Sequence, residues 1–101
     1  MTTRIEVGPA ADLPPGQGVV VDGGREAIAV FNADGAYYAC SDACPHAGGP
    51  LHQGFIEDRT VHCPWHGWTF DLVPRPDAPP DGVHRYRVVQ VGATLYVEMD
   101  D

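Results

Sequence analysis

The sequence predicts an all-β domain, an antiparallel sandwich or barrel. Three observations carry this. No stretch of helical length shows a 3.6-residue apolar period. Short runs rich in β-branched and aromatic residues recur along the chain. Clusters of Gly, Pro and Asp separate those runs, which favours many short strands over helices.

Taken in order, the runs are RIEV at 4–7, VVV at 19–21, AIAVF at 27–31, YYAC at 37–40, TVHC at 60–63, WTFDL at 68–72, HRYRVVQVG at 84–92 and TLYVEM at 94–99. The breaks are PPG at 14–16, DGG at 22–24, DG at 34–35, DG at 81–82 and Gly92. NADG at 32–35 predicts a hairpin, because Asp-Gly accepts the positive φ that a two-residue turn between twisted strands requires. VGAT at 91–94 predicts a second one joining the last two strands. In the seventh run His84, Tyr86, Val88 and Gln90 alternate with Arg85, Arg87, Val89 and Val91, the pattern of a half-buried strand. Two stretches lack a period. SDACPHAGGPLHQGFIED at 41–58 is a loop long enough, in so small a domain, to be functional. VPRPDAPPDG at 73–82 carries four prolines.

A length of 101 residues gives one domain with one modest core. Fourteen acids against six basic residues, all arginine, leave a formal charge of -8. That argues against a phosphate-binding surface and so against nucleic acid as a partner. It fits a soluble protein, and steering toward a basic protein patch. No apolar run approaches membrane-spanning length, and MTTRIEVGPAADLPPG has no apolar core of a signal peptide. The expectation is a cytoplasmic protein with no membrane partner. Three cysteines without a secretory context predict metal binding or plain burial rather than a disulfide framework.

The chemistry concentrates in CPHAGGPLHQGFIEDRTVHCPWHGW at 44–68, which holds two of the three cysteines and four of the five histidines. Two pairs stand out: Cys44-Pro-His46 and Cys63-Pro-Trp-His66. In an extended loop, side chains two apart project to one side, so Cys44 and His46 reach one centre together. Cys63 and His66 bracket a tight turn, and Gly67 after it allows close backbone approach. Two thiolates and two imidazoles suit zinc. Yet each loop supplies one Cys and one His, a division that suits a binuclear iron centre with the cysteines on one iron and the histidines on the other.

These residues resemble the Rieske [2Fe-2S] family, whose C-x-H and C-x2-H motif is matched by Cys44, His46, Cys63 and His66. The flanks CPHAGGPL and CPWHGWTFDL, the ADLPPG turn at 11–16 and the DGAYYA hairpin at 34–39 are similar to those of bacterial Rieske-type ferredoxins. The resemblance spans about residues 4 to 98. It implies the Rieske fold: an antiparallel β sandwich or barrel with an inserted cluster-binding subdomain at about 42–73 and a proline loop at 74–82, all within one domain, 1–101. It implies one [2Fe-2S] cluster, with Cys44 and Cys63 on the inner iron and His46 and His66 on the outer iron near solvent. Two ferric ions, two sulfides and two thiolates sum to zero, so one added electron leaves the cluster at -1. Neutral histidine ligands then raise the potential above that of all-cysteine ferredoxins.

Departures from the family's respiratory branch are informative. That branch has a disulfide-forming cysteine in each loop, and the matching positions here are Gly49 and Trp65. Where it has a Ser and a Tyr donating hydroxyl bonds near the cluster, this chain has Trp68 and Phe70. Such bonds favour the more negative reduced state. Each is worth roughly 1–2 kcal/mol, or about 40–90 mV for one electron. The expected potential is therefore near about -150 mV, the low end of the Rieske range.

The implied role is a soluble one-electron carrier. It takes electrons from an NAD(P)H-dependent flavoprotein reductase and passes them to a terminal oxygenase; it is not an enzyme itself. The small subunit of an assimilatory nitrite reductase, or of another cytoplasmic redox enzyme, resembles the same fold and is the alternative. Among the remaining residues, Cys40 is expected as a buried core thiol. His52 and His62 are expected at the surface or behind the ligands, with His62 on the strand face opposite Cys63; His84 is expected on the surface. Trp65 has two readings, a lid that keeps water off the cluster and a docking contact for a partner.

Overall fold

The computed structural model describes residues 2–100 other than His46, Ala47, His66 and Pro80, and the side chains of all of these but Thr2 and Asp100. Nine strands follow in chain order: β1 (Thr2–Pro9), β2 (Gly18–Asp22), β3 (Ala27–Ala33), β4 (Ala36–Ser41), β5 (Phe55–Glu57), β6 (Thr60–His62), β7 (Thr69–Asp71), β8 (Arg85–Val91) and β9 (Thr94–Asp100). Helix among the described residues is limited to single 3-10 turns at Ala10–Asp12 and Leu51–Gln53. None is long and apolar enough to cross a membrane.

Eight of these strands lie where the sequence pattern puts them. The ninth, β5, falls inside the stretch expected to be irregular. It is three residues long, too short to register a period of two, and it pairs with β6 across a turn in which Asp58 takes φ +57.

All pairings between the strands are antiparallel, in two sheets. The larger has the order β1-β9-β8-β4-β3-β2 and curls into a nearly closed barrel; the smaller, β5-β6-β7, is inserted between β4 and β8. The predicted hairpins form. Asp34 and Gly35 take φ +54 and +94 between β3 and β4, and Gly92 takes +62 between β8 and β9.

The apolar run AIAVF explains how the two sheets become one body. Every residue of β3 from Ile28 to Ala33 is buried. Alternation sends Ile28 and Val30 into the barrel, where they pack with Leu13, Ala39, Leu95 and Val97. Ala29, Phe31 and Ala33 face the other way. They join Cys40, Leu51, Val61, Phe70, Leu72 and Val83, together with Cys44 and Cys63. Burying Phe31 alone is worth about 2–3 kcal/mol. The two motif cysteines therefore sit in the core that cements the small sheet to the barrel.

Candidate cluster site

The two motif segments fold into matching hairpin loops. In the first, the Cys44 N–H donates to the Gly49 carbonyl at 2.9 Å, and the Cys44 carbonyl accepts from the Gly48 N–H at 2.7 Å. In the second, the Cys63 N–H donates to the Trp68 carbonyl at 2.7 Å, and the Cys63 carbonyl accepts from the Gly67 N–H at 3.1 Å. Each bond spans the same number of residues in both loops. Each loop closes on a left-handed glycine, Gly48 at φ +74 and Gly67 at φ +72, a conformation that would strain any residue with a Cβ. Pro45 and Pro64 open the turns directly after the cysteines.

The first loop stands on a polar stem. Ala43 bridges to Pro50, and the Leu51 N–H donates to the Asp42 carbonyl at 2.7 Å. The buried Asp42 carboxylate receives both the His52 backbone N–H and His52 Nδ1, each at 2.8 Å. Asp42 is a site residue that the sequence reading missed. Its one visible signal was a carboxylate placed two residues before a ligand-type cysteine.

Cys44 and Cys63 are free thiols, only 2% and 3% exposed. Gly49 shapes the space beside them. A Cβ there would lie 3.1 Å from Cys63 Sγ and 3.0 Å from Trp65 Cδ2. Two buried, unbridged thiols on twin loops, with a side chain withheld beside the Cys63 sulfur, fit a metal-sulfur group held from both sides. His46 and His66 lie outside the described residues. Among the described residues no three His, Cys, Asp or Glu side chains gather as a metal site.

The other three histidines are engaged elsewhere. His52 pairs with Asp42. The His62 ring stacks on Phe55, centroids 4.1 Å apart, and Nε2 is 4.0 Å from Glu57. His84 is largely exposed, just before β8, with Nδ1 3.0 Å from Glu26. Val61 and Cys63 are buried while His62 between them is only half-buried, in keeping with its place on the opposite face. Cys40 lies in the core, and burial, above all, pushes its thiol up to about 12. Trp65, packed on Gly49 yet 57% exposed, offers an inner surface to the loops and an outer one to solvent. Trp68, Phe55 and Val73 are also exposed, so the end of the molecule carrying the small sheet has an apolar surface.

A family model for the Rieske [2Fe-2S] domain matches residues 3–87. The chain belongs to the Rieske [2Fe-2S] domain family. A member of this family carries one [2Fe-2S] cluster, and two buried, unbridged thiols are a donor set that fits such a group. Over 70 residues the chain is 40% identical to the 3-phenylpropionate/cinnamic acid dioxygenase ferredoxin subunit of Escherichia coli. That match takes in 68% of this chain and 65% of the subunit's length. Among solved structures, the ferredoxin of carbazole 1,9a-dioxygenase from Nocardioides aromaticivorans superposes with a TM-score of 0.79 at 27% identity, over 94% of this chain and 96% of that one. A protein described as an NADH-dependent nitrite reductase small subunit from Mycobacterium tuberculosis gives 0.87 at 22% identity, over 100% and 98%, a likeness of fold alone.

Proposed function

We propose that this Rieske domain is a one-electron carrier of low potential, serving an oxygenase system. Its cluster would be held by Cys44, His46, Cys63 and His66, and would supply the reversible uptake of one electron. The protein's own contribution is to bury both thiols, to hold the loops in matching turns and to exclude water with Trp65 and the core beneath. Donor and acceptor would be an NAD(P)H-dependent flavoprotein reductase and a terminal oxygenase. The observation that carries this reading is the 40% identity to a dioxygenase ferredoxin subunit. Trp68 and Phe70, at positions without hydroxyl groups, support a low potential.

A redox titration followed by low-temperature EPR tests it. The expected result is a rhombic mixed-ligand signal with a midpoint near about -150 mV. Cys44→Ser, His46→Ala, Cys63→Ser and His66→Ala should each abolish the signal. A midpoint clearly above zero would overturn the low-potential role. A signal that survives His46→Ala or His66→Ala would overturn the ligand set.

The second reading is a nitrite reductase small subunit, a role that the same fold accommodates. Stable co-purification with a large sirohaem protein would favour it over the carrier.

A further inference from the structure

The segment 81–85, which leads out of the proline stretch into β8, is fixed by two polar braces. Arg85 makes the first. Its Nη1 and Nη2 donate to the two carboxylate oxygens of Asp81 at 3.1 and 2.7 Å. Nη1 also donates to the Val83 carbonyl at 3.1 Å. Nε and Nη2 donate to the Asp71 carbonyl, at the end of β7, at 3.0 and 2.6 Å. One side chain thus ties the strand leaving the second cysteine loop to the segment that follows the prolines. The second brace is at the root of the first loop. The His84 N–H donates to Ser41 Oγ at 2.9 Å, and the Ser41 N–H donates to the His84 carbonyl at 2.8 Å.

Between the braces, Gly82 is pressed on the first cysteine loop. A Cβ at this position would lie 3.1 and 3.2 Å from Pro45 Cβ and Cγ, and the backbone is left-handed at φ +83. Pro45 stands between Cys44 and His46. It has no N–H to anchor it, so packing must hold it in place.

We infer that Arg85 is a positioning residue for the cluster: by fixing Asp81 and Gly82 it makes 81–83 a backstop that keeps the first cysteine loop in its ligating shape. This rests on the ligand reading above. The planar guanidinium fork reaches a carboxylate and two separate carbonyls at once, which a lysine ammonium on its single point of attachment cannot reproduce. The effect runs through the shape of the loop, and charge alone does not replace it.

The test compares holoprotein of the wild type with Arg85→Lys, Asp81→Asn and Gly82→Ala, using Arg87→Lys as the control. Arg87 is an exposed neighbour on the same strand, with one distant ion pair to Glu98 at 3.9 Å. The readouts are the lifetime of the visible absorbance under a mild chelator and the EPR g-values. Arg85→Lys keeps the charge, Asp81→Asn removes a negative one, and Gly82→Ala alters neither. All three should shorten the lifetime about fivefold and shift the g-values in the same sense, while the control behaves as wild type. The double variant Arg85→Lys/Asp81→Asn should be no worse than either single one, since both break one clamp. Lifetimes within about twofold of wild type in all three would overturn the inference. So would an effect of Asp81→Asn with none of Arg85→Lys, which would make it a matter of field. Should Arg85→Lys fail to fold, the other two variants still decide. A wild type with no mixed-ligand signal would instead sink the ligand reading.

Discussion

Gly49 is one residue on which the two cysteine loops depend, because its backbone lies against both Cys63 and Trp65. An alanine methyl there would sit 3.0 Å from the indole and 3.1 Å from the sulfur, inside ordinary contact distance on both sides. The sulfur is fixed in the core, while Trp65 is more than half exposed and can yield. Gly49→Ala should therefore tilt the indole outward at a cost of about 1 kcal/mol, read by denaturant unfolding of the holoprotein. Trp65→Ala removes the ring that must move. Added to Gly49→Ala, it should relieve most of the extra cost, so the pair is strongly non-additive. Equal costs with and without the ring would place the strain on Cys63 instead.

At the scale of elements, the β3–β4 hairpin shows what a turn signal contains. Asn32 is buried; its Nδ2 donates to the Leu13 carbonyl and its Oδ1 accepts from the Gly35 N–H, both at 2.8 Å. It thereby joins the hairpin to the preceding loop. Asn32→Ala strands the buried Leu13 carbonyl and releases the exposed Gly35 N–H, and should cost about 2 kcal/mol, measured as a lower urea midpoint at unchanged slope. The Asn-Ala-Asp-Gly turn was legible because its chemistry is local. So was β3 as a strand, from the run AIAVF, while its burial on both faces emerged only with the two sheets packed around it. β5 was not legible. It starts directly after Gly54, where a Cβ would strike the His62 carbonyl at 1.9 Å, and that close crossing of two strands is a tertiary fact with no local signature. Arg85 was hidden for a similar reason. On an alternating strand it reads as one more exposed charge, and its partners Asp71 and Asp81 meet it only once the proline stretch has folded back. The motif singled out Cys44, His46, Cys63 and His66 as candidates by spacing, but not the polar supports, Asp42 and the Ser41–His84 pair, on which the first loop and its backstop rest.

For the molecule as a whole, the supporting carboxylates and the buried acids set opposite limits of pH. Burial raises the Glu26 pKa, but hydrogen bonds from Tyr86, His84 and Ser41 outweigh it and bring the carboxyl below its ordinary 4.5. Hydrogen bonds from Arg85 hold Asp81 below 3.8. Both are depressed on folding, so the stability they add is complete above the ordinary values and is lost as pH falls below about 4.5. The alkaline limit has the reverse sign. Burial lifts Cys40 from 9.0 to about 12; burial and then the bond to Glu26 lift Tyr86 from 10.0 to about 12. Folding favours their protonated forms. Their contribution is complete below pH 9 and is lost as pH climbs from there toward 12. A plot of melting temperature against pH should therefore fall as pH drops below about 4.5 and fall again as it climbs above about 9. Cys40→Ala should move the start of the alkaline fall from near 9 to near 10, where Tyr86 begins to matter, and leave the acid side unchanged. Tyr86→Phe should act on both sides at once, because the hydroxyl that resists ionisation at high pH is also the donor that keeps Glu26 ionised at low pH. An unchanged acid limit in Tyr86→Phe would mean that Ser41 and His84 hold the Glu26 carboxylate without it.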